Sequence, residues 1–114
     1  MRGMKFAMLI IFSLVTSISS AKRVCSEEEF VKINSKGLPE GSAAILRRIF
    51  ECNHWGGEVG DTSAGRTKQI EEGVKKANCA SLPSDQVTFI KLHAKHQKIE
   101  TIFSKADAWD GFCD

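Results

Sequence analysis

No Cys-x-x-Cys pair occurs in the 114 residues of this chain, which excludes a zinc knuckle, a thioredoxin-like redox pair and a covalent haem site together. Also missing are a Gly-x-Ser-x-Gly turn for a nucleophilic serine, the His-Glu-x-x-His pattern of zinc proteases, the alternating acidic ligands of a calcium loop and a glycine-rich phosphate loop after a strand. These absences predict a protein without a cofactor and remove the commonest routes to catalysis. A surplus of charge is lacking as well, since 16 basic residues face 14 acidic ones. Arg2 and Lys5 fall in an expected N-terminal leader, whose loss would leave the chain formally neutral. A neutral surface has no general attraction for nucleic acid or for an anionic membrane, and neither is expected as a partner.

The first residues do carry the pattern expected of an export signal. Arg2 and Lys5 precede an apolar stretch from Phe6 to Val15, and small polar residues lead to Ser19 and Ala21. Positive, apolar and small residues in that order predict a signal peptide over residues 1–21, cleaved after Ala21. The apolar run is about half the roughly 20 residues that span a bilayer, so stable membrane insertion is not expected. Lys22, Arg23 and Val24 before Cys25 do not fit a lipid-attachment site. Removal of the leader leaves one domain, residues 22–114, of a size that buries only about two thirds of its unfolded surface. The localisation expected is periplasmic or secreted.

All four cysteines, Cys25, Cys52, Cys79 and Cys113, come after the leader. An even number in a short exported chain reads as a disulfide framework, and four cysteines allow three pairings among which sequence alone does not choose. Cys52–Cys79 with Cys25–Cys113 is the favoured set, because the second bond would tie the ends of the domain together. Closing a loop of the Cys52–Cys79 size is worth about 3.5 kcal/mol on the chain-entropy view.

The periodicity predicts an all-α fold, a small irregular bundle of four to five short helices. Ser26 and Glu29 form a capping box, and three consecutive glutamates suit the positive end of a helix that stops between Asn34 and Gly37. Leu38 to Gly41 reads as a turn. Ile45, Leu46, Ile49 and Phe50 share one side of a helix from Ser42 to Cys52. Three glycines between Gly56 and Gly60 predict a loop from Asn53 to Asp61, where backbone entropy opposes a helix interior. Asp61 or Thr62 then caps a third helix to Ala77, whose narrow stripe of Ile70, Val74 and Ala77 marks a surface helix. A fourth starts at Leu82-Pro83 and includes Val87, Phe89, Ile90, Leu92 and Ala94, although Val-Thr-Phe-Ile also suits a strand. Ile99, Ile102, Phe103, Ala106 and Trp109 define the last, from Lys98 to Trp109.

The densest group of chemistry-bearing residues is Glu51-Cys52-Asn53-His54-Trp55-Gly56-Gly57-Glu58. One reading makes it a binding site, with Glu51 and Glu58 holding His54 and Trp55 walling it. The other is structural: Trp55 caps the core beside a disulfide, His54 bonds the carbonyls at the helix end and Glu58 ties the turn. His93 and His96, three apart on the fourth helix, are weak candidates for metal ligands, two where a site needs three or four.

The Cys-Asn-His-Trp-Gly-Gly-Glu stretch, with a charged helix after it ending in Cys79, resembles a group of uncharacterised small exported proteins of Gram-negative bacteria. The likeness covers residues 50–85 and implies no activity. It does imply Cys52–Cys79 as a pair, both cysteines lying inside the shared part.

The function expected is that of a small exported binding protein whose partner, a protein or a small ligand, meets His54, Trp55 and Glu58. An inhibitor or immunity-type protein, with Trp55 as its buried anchor, is one concrete form. Two alternatives stand beside it. One is a small hydrolase or metal-dependent enzyme using His54 with Glu51 or Glu58. The other is a carrier of an apolar ligand in a cavity lined by Phe50, Ile90, Phe103 and Trp109.

Overall fold

Ser26 opens the first helix as its spacing predicts. Its hydroxyl accepts from the Glu29 amide at 3.1 Å, while the Glu29 carboxylate accepts from that hydroxyl and from Arg23, both at 3.4 Å. The computed structural model of the chain describes Gly3 and residues 22–58, 60 and 63–113. The expected cleavage after Ala21 and the expected caps Asp61 and Thr62 lie outside those residues. The described residues form five helices in order: α1 Glu27–Asn34, α2 Ser42–Gly57, α3 Ala64–Lys76, α4 Leu82–Leu92 and α5 Lys98–Asp107. The fold is all-α, and none of the described helices is long and apolar enough to cross a membrane.

The turn between α1 and α2 is built on Ser42 and Gly41. The Ser42 hydroxyl donates to the Pro39 carbonyl at 2.7 Å, which satisfies a side chain only 1% exposed. Gly41 has φ +94°, and a Cβ there would stand 3.2 Å from the Phe89 ring of α4. The positive φ strains any other residue here, and the ring would have to give way to a Cβ as well.

α2 is the hub. Ile45, Leu46, Ile49 and Phe50 are buried along it, and α1, α3, α4 and α5 all pack on it. Phe30 of α1 and Trp109, just past α5, meet Phe50 edge-on at 5.5 and 5.3 Å. The helix also runs five residues beyond Cys52, through His54 and Trp55 to Gly57, where the sequence predicts a loop. Gly56 and Gly57 fall in its last turn, where the backbone cost is least. Anchors on other elements outweigh that cost, which is about 1 kcal/mol per glycine. One is Asn53, whose Nδ2 donates to the Asp107 carbonyl at 3.1 Å.

α3 is the least self-sufficient element, with Ile70 buried, Ala77 buried just beyond its end and Val74 half-buried. Its end is closed by Asn78 at φ +52°, with Cys79 N donating to Val74 O and Asn78 N to Lys75 O, both at 3.1 Å. This is the Schellman arrangement with asparagine in the left-handed place. The Cys52–Cys79 disulfide then joins the segment to α2, and Cys25–Cys113 closes the ends of the domain. Both are the favoured pairs. Around the second bond Cys25 N donates to Gly111 O and Cys113 N to Arg23 O, each at 3.0 Å, and Val24 and Phe112 form an antiparallel bridge.

Arg48 ties three helices together. Its Nε donates to Ala77 O and its Nη2 to Asn78 O, each at 3.0 Å, so the cation sits at the negative end of α3. The same Nη2 reaches Asp85 Oδ2 at 2.9 Å, in the first turn of α4. α4 is a helix rather than a strand, but it stops at Leu92, so Ala94 lies beyond it. Val87 and Leu92 of its apolar set face solvent, Leu92 at 74% exposure. α5 ends at Asp107, two residues before Trp109, whose indole N–H donates to Phe112 O at 3.1 Å and so docks the tail.

The Asp85 carboxyl is held below the usual aspartate range, first by its hydrogen bond from Arg48 and then by that from Ser81. A carboxyl depressed on folding contributes stability that is present above its unfolded pKa and is lost as pH falls through its folded one. Asp85→Asn is therefore expected to flatten the loss of stability on acidification below about pH 4. Urea unfolding of both proteins as a function of pH checks this, and an unchanged acid slope contradicts it.

Candidate functional site

The helical path of residues 53–57 decides what His54, Trp55 and Glu58 can do. One turn separates His54 from Glu58, and His54 Nε2 stands 3.3 Å from Glu58 Oε1. The other carboxylate oxygen, Oε2, is shut away from solvent and accepts no hydrogen bond of regular geometry. Its compensation is an ion pair with the Arg66 guanidinium of α3. That guanidinium also lies over the Trp55 ring, 5.5 Å from its centre, a cation–π contact. The indole rests against Gly73 on α3, so closely that a Cβ at position 73 would collide with it. His54 meets the same indole edge-on at 5.1 Å. A single chain of contacts thus runs from His54 through Glu58, Arg66 and Trp55 to Gly73.

The structure brings three of the four expected residues into this chain and sets Glu51 beside it. Glu51 is exposed one turn before Trp55 and lines, with His54 and Trp55, a shallow depression of about 400 Å³ between the start of α1, α2 and α3. Phe50 and Gly73 lie in its floor and Glu27 and Lys76 on its rim. The His54 side chain is 58% exposed and open to a ligand, whereas Glu58 and Trp55 are largely committed to holding α3. Trp55 belongs to the α2–α3 contact and not to the central core. His54 pairs with a carboxylate side chain.

His93 and His96 do not share a helix face. α4 ends before them, His93 tilts onto Phe89 at 4.6 Å between ring centres, and His96 stands 6.5 Å from His93 in the turn before α5. Among the described residues no group of three His, Cys, Asp or Glu side chains is arranged to hold a metal. Phe50 and Trp109 are in ring contact, and Phe89 and Phe103 stand 5.9 Å apart, so these rings occupy the space between helices themselves.

Arg66 and Gly73 were not legible as partners of Trp55, although a glycine inside a helical pattern is the mark of a close packing partner. Comparison with known proteins adds no assignment: no protein family, no curated protein and no solved structure matches the chain.

The Trp55–Gly73 contact makes a signed prediction. Gly73→Ala is expected to destabilise the protein by about 1–3 kcal/mol, as overpacking does. In a Trp55→Ala background the same change should stabilise by up to about 1 kcal/mol, because alanine is the better helix former. Urea unfolding of the four proteins reads both signs, and a neutral Gly73→Ala in both backgrounds would contradict the contact.

Proposed function

We propose that this chain is a small exported binding protein and that it meets a protein partner at the end of α2, through Glu51, His54 and the open edge of Trp55. An inhibitor or immunity-type role is the concrete form this takes. The supporting observation is the depression between α1, α2 and α3, where an aromatic floor is rimmed by a carboxylate pair, an ammonium group and an exposed imidazole. Its walls are held in place by a disulfide, a half-buried ion pair and a tryptophan, so little ordering is left to be done on binding. The two disulfides belong to an oxidising, non-cytoplasmic compartment, which agrees with the leader read from residues 1–21.

Glu51 and His54 are the positions to probe, because Trp55 and Glu58 also hold the fold. A photo-crosslinking residue placed at Glu51 in the producing cell is expected to capture one defined protein. The same group at exposed Lys91 of α4 should not capture it, and His54→Ala should reduce the yield severalfold. Equal capture from both positions, or none from Glu51, would overturn the placement.

A further inference from the structure

A second face differs in charge from the first. The four arginines of the described residues are all paired with carboxylates, Arg23 with Glu29, Arg47 with Glu28, Arg48 with Asp85 and Arg66 with Glu58. Lysines are left over, and four of them, Lys36, Lys95, Lys98 and Lys105, surround one groove of about 830 Å³ between the α1–α2 turn and α5. Among the described residues none of the four stands in an ion pair and no carboxylate lines the groove. Ile33, 42% exposed, forms its floor with half-buried Leu38 and Ile102. The first turn of α5, whose Gln97 cap supplies no side-chain bond, adds the positive end of a helix.

We propose that this groove docks an acidic amphipathic segment of a protein partner, with apolar side chains on Ile33, Leu38 and Ile102 and carboxylates on the four lysines. Charge complementarity selects the sign of the occupant. Shape selects its kind. A flat bilayer does not enter a groove, and an apolar ligand chain lying in one so open would stay in water. A helix or extended segment presses its own apolar side chains onto the floor and covers it. Residues 1–21 contain no acidic residue and do not fit. A second copy of this chain fits poorly, because exposed Val87 and Leu92 share α4 with Lys91 and with an Asp85 already paired with Arg48. This face is separate from the depression at Glu51 and His54, so either can fail without the other.

The probe is a synthetic helical peptide of about 18 residues, leucine on one face and glutamate on the other, titrated into the oxidised, isotope-labelled protein by NMR. Amide shifts are expected at Ile33, Lys36, Leu38, Thr101 and Ile102, with binding that weakens as salt is added. Lys98→Glu with Lys105→Glu, both exposed positions, should weaken it on the order of tenfold or more, whereas His54→Ala should leave it unchanged. A peptide with glutamine for glutamate that binds equally well would overturn the proposal, as would indifference to the double substitution. Binding to phosphatidylglycerol vesicles without binding to the peptide would overturn it in favour of a membrane surface. Self-association abolished by the double substitution would overturn it in favour of a second copy.

Discussion

The hold of α2 on α3 is the interaction on which the rest of this structure depends, because α3 has too little apolar surface to stay in place alone. Ile70 is buried and Val74 half-buried along it, while Arg66, Lys68, Glu71, Glu72, Lys75 and Lys76 cover the rest. A helix of that composition gains little from burial and most from what its neighbours provide. α2 provides a covalent bond at Cys52, a cap for the helix end through Arg48, and the Trp55 indole set against Gly73. The depression at Glu51 and His54 exists only while those three attachments persist, since α3 forms one of its walls. Stability and candidate function are in this sense one problem.

Much of the architecture was legible in local pattern. Ser26 and Glu29 marked the start of α1, the stripe from Ile99 to Ala106 marked α5, and the even set of cysteines in a short chain pointed to two disulfides. The illegible part was non-local. The extension of α2 through Trp55 reverses a rule about glycine, because the anchors that outweigh the backbone cost, Gly73 and Asp107, are distant in sequence. α4 stops early for a related reason: Leu92 finds nothing to pack on, and His93 turns onto Phe89 instead of continuing the helix. The pairing of His93 and His96 on one helix face fails with it.

The candidate site was legible as a cluster but not as a division of labour. Four residues around Cys52 stood out for their chemistry, yet nothing in their spacing separates those that bind from those that brace. Arg66 makes the separation by claiming both Glu58 and the face of Trp55. The same logic orders the charges of the whole domain. Arg47, Arg48 and Arg66, whose planar forks suit fixed pairs, hold α1, α3 and α4 to α2, while most lysines among the described residues stay unpaired on the surface. A chain whose formal net charge is only +2 therefore still presents one basic groove, and net charge alone concealed it.

Amide hydrogen exchange of the oxidised protein against Cys52→Ala/Cys79→Ala tests the central claim most directly. If α2 holds α3 as described, protection is lost first and most in residues 66–76, while Leu46 to Phe50 of α2 and Ile99 to Ala106 of α5 remain slow. Loss spread evenly over all five helices, or an α3 as protected without the bond as with it, would contradict the account.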